Sequence, residues 1–380
     1  MRDGIGSYTW ILANTVRDAG HEISVAVPRI VPGAPAEVIG SLTLVGQDYA
    51  KLHQAVARWK PDIVHVQFAI AAFGSRTPAV IRWLDVFRRE FKIPVVITLH
   101  ELTSESALLP AIGHAMSRRI AARCDRLIVH TDIARNELIE GVGVPYSNIS
   151  MIPQPSVPPP AATSSSHDLR TRFGLDGSRV LLAFGFIRMD KGLDDLIQAL
   201  KILRDTKVAG LDNVRLVVAG DVRPRAGLFR VFEARDKLYV TQMLRRIKRT
   251  DLQEIILLTG YVPDGEVATW FEVAEALVLP YRRIEHSMVA GLARSLNVPV
   301  LSSTAGGLAE QFVGSKWTFP PRAPARIAAT LEDFLSSAPA ERICMPMPQH
   351  SADFASVAKR TLELYGEVTS GDPGRTSYVA

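Results

Sequence analysis

Residues 180–200, VLLAFGFIRMDKGLDDLIQAL, decide how the rest of the chain is read. Residues 180–184 form a short apolar run closed by Gly185, the pattern of a buried strand. Leu193, Leu196, Ile197 and Leu200 then recur at helical spacing. Between strand and helix stand Arg188 and Lys191, two cations at the mouth of a helix N-terminus. Unpaired backbone N–H groups and the helix dipole favour an anion at such a place. Cationic side chains add charge-assisted bonds, and a guanidinium suits bidentate contact with phosphate. The stretch reads as a diphosphate cradle at the carboxyl end of a parallel strand. The alternative is a solvated loop with incidental charges.

The same alternation extends in both directions. Upstream, strands are expected over residues 22–27, 42–45, 63–66, 95–99, 126–130 and 149–152, with helices between them. Downstream they are expected over residues 214–219, 255–258, 276–279 and 298–302. Strands alternating with helices imply parallel sheets covered on both faces, with ligands beyond the carboxyl ends of the strands. Gln67, His100, Glu101 and His130 fall at such ends, and His65 lies inside a strand. His100 reads either as a structural histidine or as a ligand contact. Residues 3–8, DGIGSY, read as a glycine turn leading into a helix, which lets a ligand approach the backbone. No strand precedes them, so the first strand of the alternation is expected to be missing.

A length of 380 residues favours two domains. Residues 153–166, PQPSVPPPAATSSS, cannot continue a helix or a central strand and mark the boundary. The expected division is residues 1–155, a linker at 156–167, a second domain at 168–345, a terminal helix at 346–370 and a frayed tail at 371–380. Hydrophobic residues at 47% and charged residues at 22% are ordinary for a globular protein. Cys124 and Cys344 have neither metal nor redox spacing, which fits a reducing compartment. No apolar run approaches the roughly 20 residues of a membrane span, and no signal peptide opens the chain. A cytoplasmic protein is expected, with the inner face of the membrane as an option. The net charge of +5 permits an anionic ligand or surface. Two basic segments offer one: residues 80–92, with Arg82, Arg88, Arg89 and Lys92 beside Trp83, Phe87 and Phe91, and residues 223–249, rich in Arg and Lys. Each could touch an anionic membrane or be a solvated helix face. No nucleic-acid-binding motif accompanies them.

Taken in order, these segments resemble family 4 of the retaining glycosyltransferases, which have the GT-B fold. The resemblance rests on GIGSY with AGHEISV, PDIVHVQF, VVITLHE, RCDRLIVHTDIARNEL with ISMIPQ, FGFIRMDKGLDDLIQAL, TGYVPDGEVATWFEVAEALVLPY and NVPVLSSTAGGLAE, and it covers nearly the whole chain. It implies two Rossmann-like domains facing a central cleft, and transfer of a sugar from a nucleotide-diphosphate donor to a hydroxyl acceptor (glycan, lipid or small molecule). It implies retention, with no cofactor beyond the donor as co-substrate. By residue, it implies that Gly4 and Gly6 line the donor phosphates and that His100 contacts the donor sugar. Arg188 and Lys191 would hold the diphosphate. Ser287, Met288 and Val289 would hold the sugar and distal phosphate through their amides. Glu285 stands where the family carries the first of two glutamates. The second has no counterpart: Leu292 or Ala293 occupies its place, depending on the register. A ribose would there lose a strong acceptor. No Asp-x-Asp metal motif stands in the loops at the strand ends, which fits metal independence. Two alternatives stay open: a catalytically silent protein that binds nucleotide or partners an active transferase, and an epimerase sharing the fold.

Overall fold

The computed structural model describes residues 4–27, 38–41, 47–69, 73, 77–100, 110–155, 161–225, 230–342 and 353–370. The chain divides into two compact units, Met1–Pro155 with Ser351–Ala380, and Ser156–His350. Each is built of parallel strands covered by helices, in two sheets in unit 1 and one in unit 2.

In unit 1, α1 (Gly4–Asp18) is followed by the parallel pair β1 (Val25–Val27) and β2 (Val38–Ser41), then by α2 (Gln47–Trp59). A second sheet has the order β3 (Val64–Phe68), β4 (Val95–Leu99), β5 (Arg126–Val129), β6 (Ile149–Met151). Its helices are α3 (Thr77–Val86), α4 (Pro110–Ala121) and α5 (Asp132–Asn136). All five residues of β4 are buried, as expected for a strand covered on both faces. Alternation sorts its side chains. Val95, Ile97 and Leu99 join one core with Leu84, Phe87, Leu127 and Leu138, while Val96 joins Tyr8, Leu12 and Val16 of α1 on the other face. The last helix of the chain, α14 (Phe354–Ser370), returns to this second face through Val357, Ala358 and Leu364.

Unit 2 has a six-stranded parallel sheet. It contains β7 (Arg179–Phe184), β8 (Val214–Ala219), β9 (Ile256–Gly260), β10 (Ala276–Leu279), β11 (Val300–Ser303) and β12 (Thr318–Phe319), in the order 12-11-10-7-8-9. Its helices are α6 (Ser166–Phe173), α7 (Leu193–Asp205), α8 (Arg230–Arg249), α9 (Val267–Val273), α10 (Met288–Ser295), α11 (Gly307–Gln311), α12 (Pro324–Ser336) and α13 (Pro339–Arg342). Leu181 and Ala183 of β7 face the core under α7, α8 and α12, and Val180 and Leu182 face the one under α9, α10 and α11. Because strand order reverses between β7 and β10, their carboxyl ends diverge and open a crevice, the usual ligand site of such sheets.

Three readings change. The glycine turn at residues 3–8 is already helix from Gly4 onward, because Tyr8, Leu12 and Val16 form an apolar stripe that packs on the sheet. The second strand runs over Val38–Ser41, and the 42–45 segment expected there lies outside the described residues, as do Glu101 and Cys344. The helix read at 80–92 has no apolar face to offer a membrane. Trp83 and Phe87 are 8% and 0% exposed, and Phe91 packs against the same core.

Candidate active site

The loop after β7 and the loop after β10 meet at the point of strand reversal. Gly185 follows β7 with φ +98°, and a methyl placed on it would lie 3.1 Å from Lys191 Nζ and 3.8 Å from Val289 Cγ2. Lys191 Nζ also sits 5.1 Å from the centroid of the buried Tyr281 ring. The ammonium is thus folded back beneath its own loop, against the start of α10. Burial, then the neighbouring Arg188, lower its pKa to about 8; Asp190 opposes them. It remains mostly protonated at neutral pH and lacks a carboxylate that fully offsets its burial. A bound anion would supply one.

Arg188 is placed differently. Its guanidinium forks onto Asp190 two residues on, with Nε 2.9 Å from Oδ1 and a second contact to Oδ2. Its side chain is 14% exposed. The loop therefore carries two cations and one carboxylate, and Asp190 holds the guanidinium plane in a fixed direction.

The helix N-terminus that the sequence assigns to the anion is partly used by the chain itself. The first turn of α7 carries Asp194 and Asp195, which complement the dipole there. Arg282, from the loop after β10, binds both: Nε and one terminal nitrogen lie 2.7 Å from Asp195 Oδ2 and Oδ1, and that nitrogen is 2.7 Å from Asp194 Oδ2. The Tyr239 hydroxyl donates to Asp194 Oδ1 at 2.6 Å. The Arg282 amide donates to the Asp190 carbonyl at 2.7 Å. These bonds raise the Arg282 pKa above its ordinary value, the Asp195 bond most. Arg282 thus ties the two loops together. Gly192, in the left-handed region at φ +63°, permits their close approach, since a β-carbon there would stand 2.1 Å from the Pro280 carbonyl oxygen.

The second anion-binding end belongs to α10, whose first turn holds no acidic residue. Ser287 is its N-cap: the hydroxyl accepts from Ala290 N at 3.2 Å and bonds the Tyr281 phenol. The Ser287 amide donates to Gln311 Oε1 at 3.2 Å. Ser287 is therefore consumed in building the turn. The Met288 and Val289 amides, first in the helix, have no partner within it. Glu285 is half-buried in the same loop. Of the two registers for the second glutamate, position 293 is the buried one, with Ala293 0% exposed within an apolar core. Leu292 is half-buried against that core and alone of the two has a side chain reaching solvent.

In unit 1, Gly6 lies in the first turn of α1 next to Gly4. His100 follows β4 and engages both ring nitrogens inside the unit. Nε2 is 2.7 Å from Gln67 Oε1, and Nδ1 is 3.3 Å from His130 Nε2. His130 Nδ1 donates to the Ile152 carbonyl at 2.8 Å. The Gln67 amide reaches His65 Nε2 at 3.2 Å, and His65 Nδ1 is 2.6 Å from the Tyr365 hydroxyl on α14. Tyr8 stands edge-on to His100 with centroids 5.1 Å apart. Burial lowers the His65 pKa to about 3, with His130 adding to it, and lowers that of His130 to about 4 against the Ile152 bond. Both are neutral at physiological pH. A contact from His100 to a sugar would exchange one of its internal bonds.

Residue spacing does not reveal the roles of Arg282, Gln311, Tyr281 and Tyr365. Asp190 between Arg188 and Lys191 was a legible signal of internal pairing. Among the described residues no cluster of three His, Cys, Asp or Glu side chains could hold a metal ion, and no helix is long and apolar enough to cross a membrane.

Residues 2–155 match the model of Glycosyltransferase Family 4, and residues 167–345 that of Glycosyl transferases group 1. A mannosylfructose-phosphate synthase of Agrobacterium fabrum is 27% identical over 49% of this chain and 39% of its own length. A D-inositol 3-phosphate glycosyltransferase of Xylanimonas cellulosilytica is 25% identical over 73% of this chain and 65% of its own. The chain thus spans less than two thirds of either curated relative. Among solved structures, Anabaena HepE in complex with UDP and glucose superposes with a TM-score of 0.74 at 15% identity, covering 96% of each chain. The sucrose-phosphate synthase of Thermosynechococcus elongatus gives 0.73 at 16%, covering 97% of this chain and 94% of its own. Two family models in tandem, on two parallel-sheet units, place the chain in family 4 of the glycosyltransferases, with their GT-B fold.

Proposed function

We propose that the protein transfers a glycosyl group from a nucleoside-diphosphate sugar to a hydroxyl acceptor, with unit 2 binding the donor. The observation that carries this is Lys191, a buried ammonium held against the first turn of α10 with no full counter-charge of its own. Lys191, Arg188 and the Met288 and Val289 amides would neutralise the departing diphosphate by preorganised electrostatics. In this reading no metal is required and anomeric configuration is retained. Glu285 would position sugar hydroxyls, and His100, Gly4 and Gly6 would be the donor contacts of unit 1.

HepE is described with UDP and glucose, so UDP heads the donor panel; the inositol 3-phosphate transferases put D-inositol 3-phosphate among the acceptors to test. The test is thermal shift with UDP, GDP, ADP and TDP, on the natural chain and Lys191→Ala. A rise of several degrees with one nucleotide, absent in Lys191→Ala, supports the reading. No rise with any nucleotide, in a folded sample, sinks it. Leu292 at the acidic position favours a second reading, a nucleotide binder without turnover. Nucleotide binding with no release of nucleoside diphosphate from any donor and acceptor pair would support that reading instead.

A further inference from the structure

We propose that the outer face of α8 is a docking surface for an anionic phospholipid membrane. The helix has 20 residues, about 30 Å in length. One stripe of it is buried in unit 2: Asp236, Tyr239, Met243 and Ile247. The opposite stripe is exposed and of two kinds. Val231 and Leu238 stand near its centre at 71% and 55% exposure, and Leu244 lies at its margin. Arg235, Arg245, Lys248 and Arg249 surround them, all exposed.

The acidic residues of the helix offset only part of this charge. Asp236 is buried and bound by Arg225 at 2.8 Å, with Arg235 at 3.6 Å, and Glu233 is taken by Lys237 at 2.6 Å. Among the described residues, Arg245, Arg246, Lys248 and Arg249 make no ion pair. Cations in the last turn complement the helix dipole, which accounts for part of the pattern. It does not account for exposed aliphatic side chains between arginines in the first half. A convex face with aliphatic side chains set among cations fits the boundary between lipid headgroups and acyl chains, where each kind of group finds its medium. An acidic protein would match the charge alone. The position also differs from residues 80–92, whose aromatic side chains are turned into the core of unit 1.

Co-sedimentation of the full chain with vesicles tests this. One set is phosphatidylcholine alone, the other phosphatidylcholine mixed with phosphatidylglycerol. The variants are Arg245→Gln with Arg249→Gln, and Leu238→Gln, all at exposed positions outside the donor site. Binding is expected only to the anionic vesicles. The double Arg variant should weaken it by at least about tenfold, and Leu238→Gln should weaken it further at high salt, where apolar insertion carries more of the affinity. Absence of binding overturns the proposal, as does binding unaffected by all three substitutions. Capture on polyglutamate beads that depends on the arginines, without vesicle binding, would identify an acidic protein surface as the partner and also overturn it. Turnover is not read, so the outcome is independent of the transferase reading.

Discussion

The two units bring opposite electrostatics to their candidate site residues. In unit 2 the groups are charged: Arg282 spans Asp194 and Asp195, Arg188 forks onto Asp190, and Lys191 is buried beside them. In unit 1, His100 sits in a hydrogen-bonded chain with two buried neutral histidines, Gln67 and Tyr365. A charged array can meet a diphosphate without reorganising, because its cations are already oriented. Buried neutral histidines and an amide offer donors and acceptors suited to uncharged hydroxyls. The comparison teaches that the charged groups of unit 2 are held by contacts between two loops distant in sequence.

The most severe way to break this contrast is to remove the strut. Arg282→Ala takes the cation from Asp194 and Asp195 and leaves Asp194 only its bonds with Tyr239. It should cost about 2 kcal/mol of stability and, by displacing Lys191, lower kcat/KM about 100-fold. Arg282→Ala combined with Asp195→Asn should regain part of the stability, measured by urea unfolding. No difference between the single and double variants would show that the pair does not position the loop.

Acid separates the units next. His65 and His130 have pKa values of about 3 and about 4, against 6.5 in the unfolded chain. Between pH 6.5 and 4 the unfolded chain binds protons that the folded unit does not. The stability from these groups is full above pH 6.5 and declines as pH falls, by up to about 1.4 kcal/mol per pH unit for each. Hydrogen exchange at pH 7 and pH 5 should show loss of protection in β3–β5 and not in β7–β10.

Alkali acts on the other unit. Lys191, with its pKa of about 8, would hold an anion only while protonated. Nucleotide affinity should be nearly level from pH 6.5 to 7.5 and then fall by up to tenfold per pH unit above about 8. Calorimetry across that range, with Lys191→Met as the flat control, checks the sign. The smallest effect is expected from Tyr365→Phe, which removes one hydrogen bond to His65 and should cost about 1 kcal/mol in unit 1. Nucleotide binding by unit 2 should not change, and a change would show that α14 reaches further than its contacts.

Much of this was legible beforehand, for local reasons. Strands 95–99, 214–219 and 276–279 are mostly apolar runs, interrupted only by Thr98 and Arg215, and each appears at those limits. The boundary near residue 155 followed from proline and serine content. Arg188 and Lys191 could be singled out because strand, short loop and helix are contiguous in sequence. These two candidates of unit 2 thus rest on composition and spacing, which act over a few residues.

Pairing across long separations was not legible. Nothing in residues 188–195 indicates that Arg282 will neutralise their carboxylates, because that bond joins loops some ninety positions apart and exists only once β7 and β10 are neighbours. Likewise, His65 and Tyr365 meet across 300 positions because α14 folds back on unit 1. Local order follows from backbone preferences and periodic hydrophobicity, whereas the charge state and direction of each polar group follow from burial and from partners that the folded chain alone brings within reach.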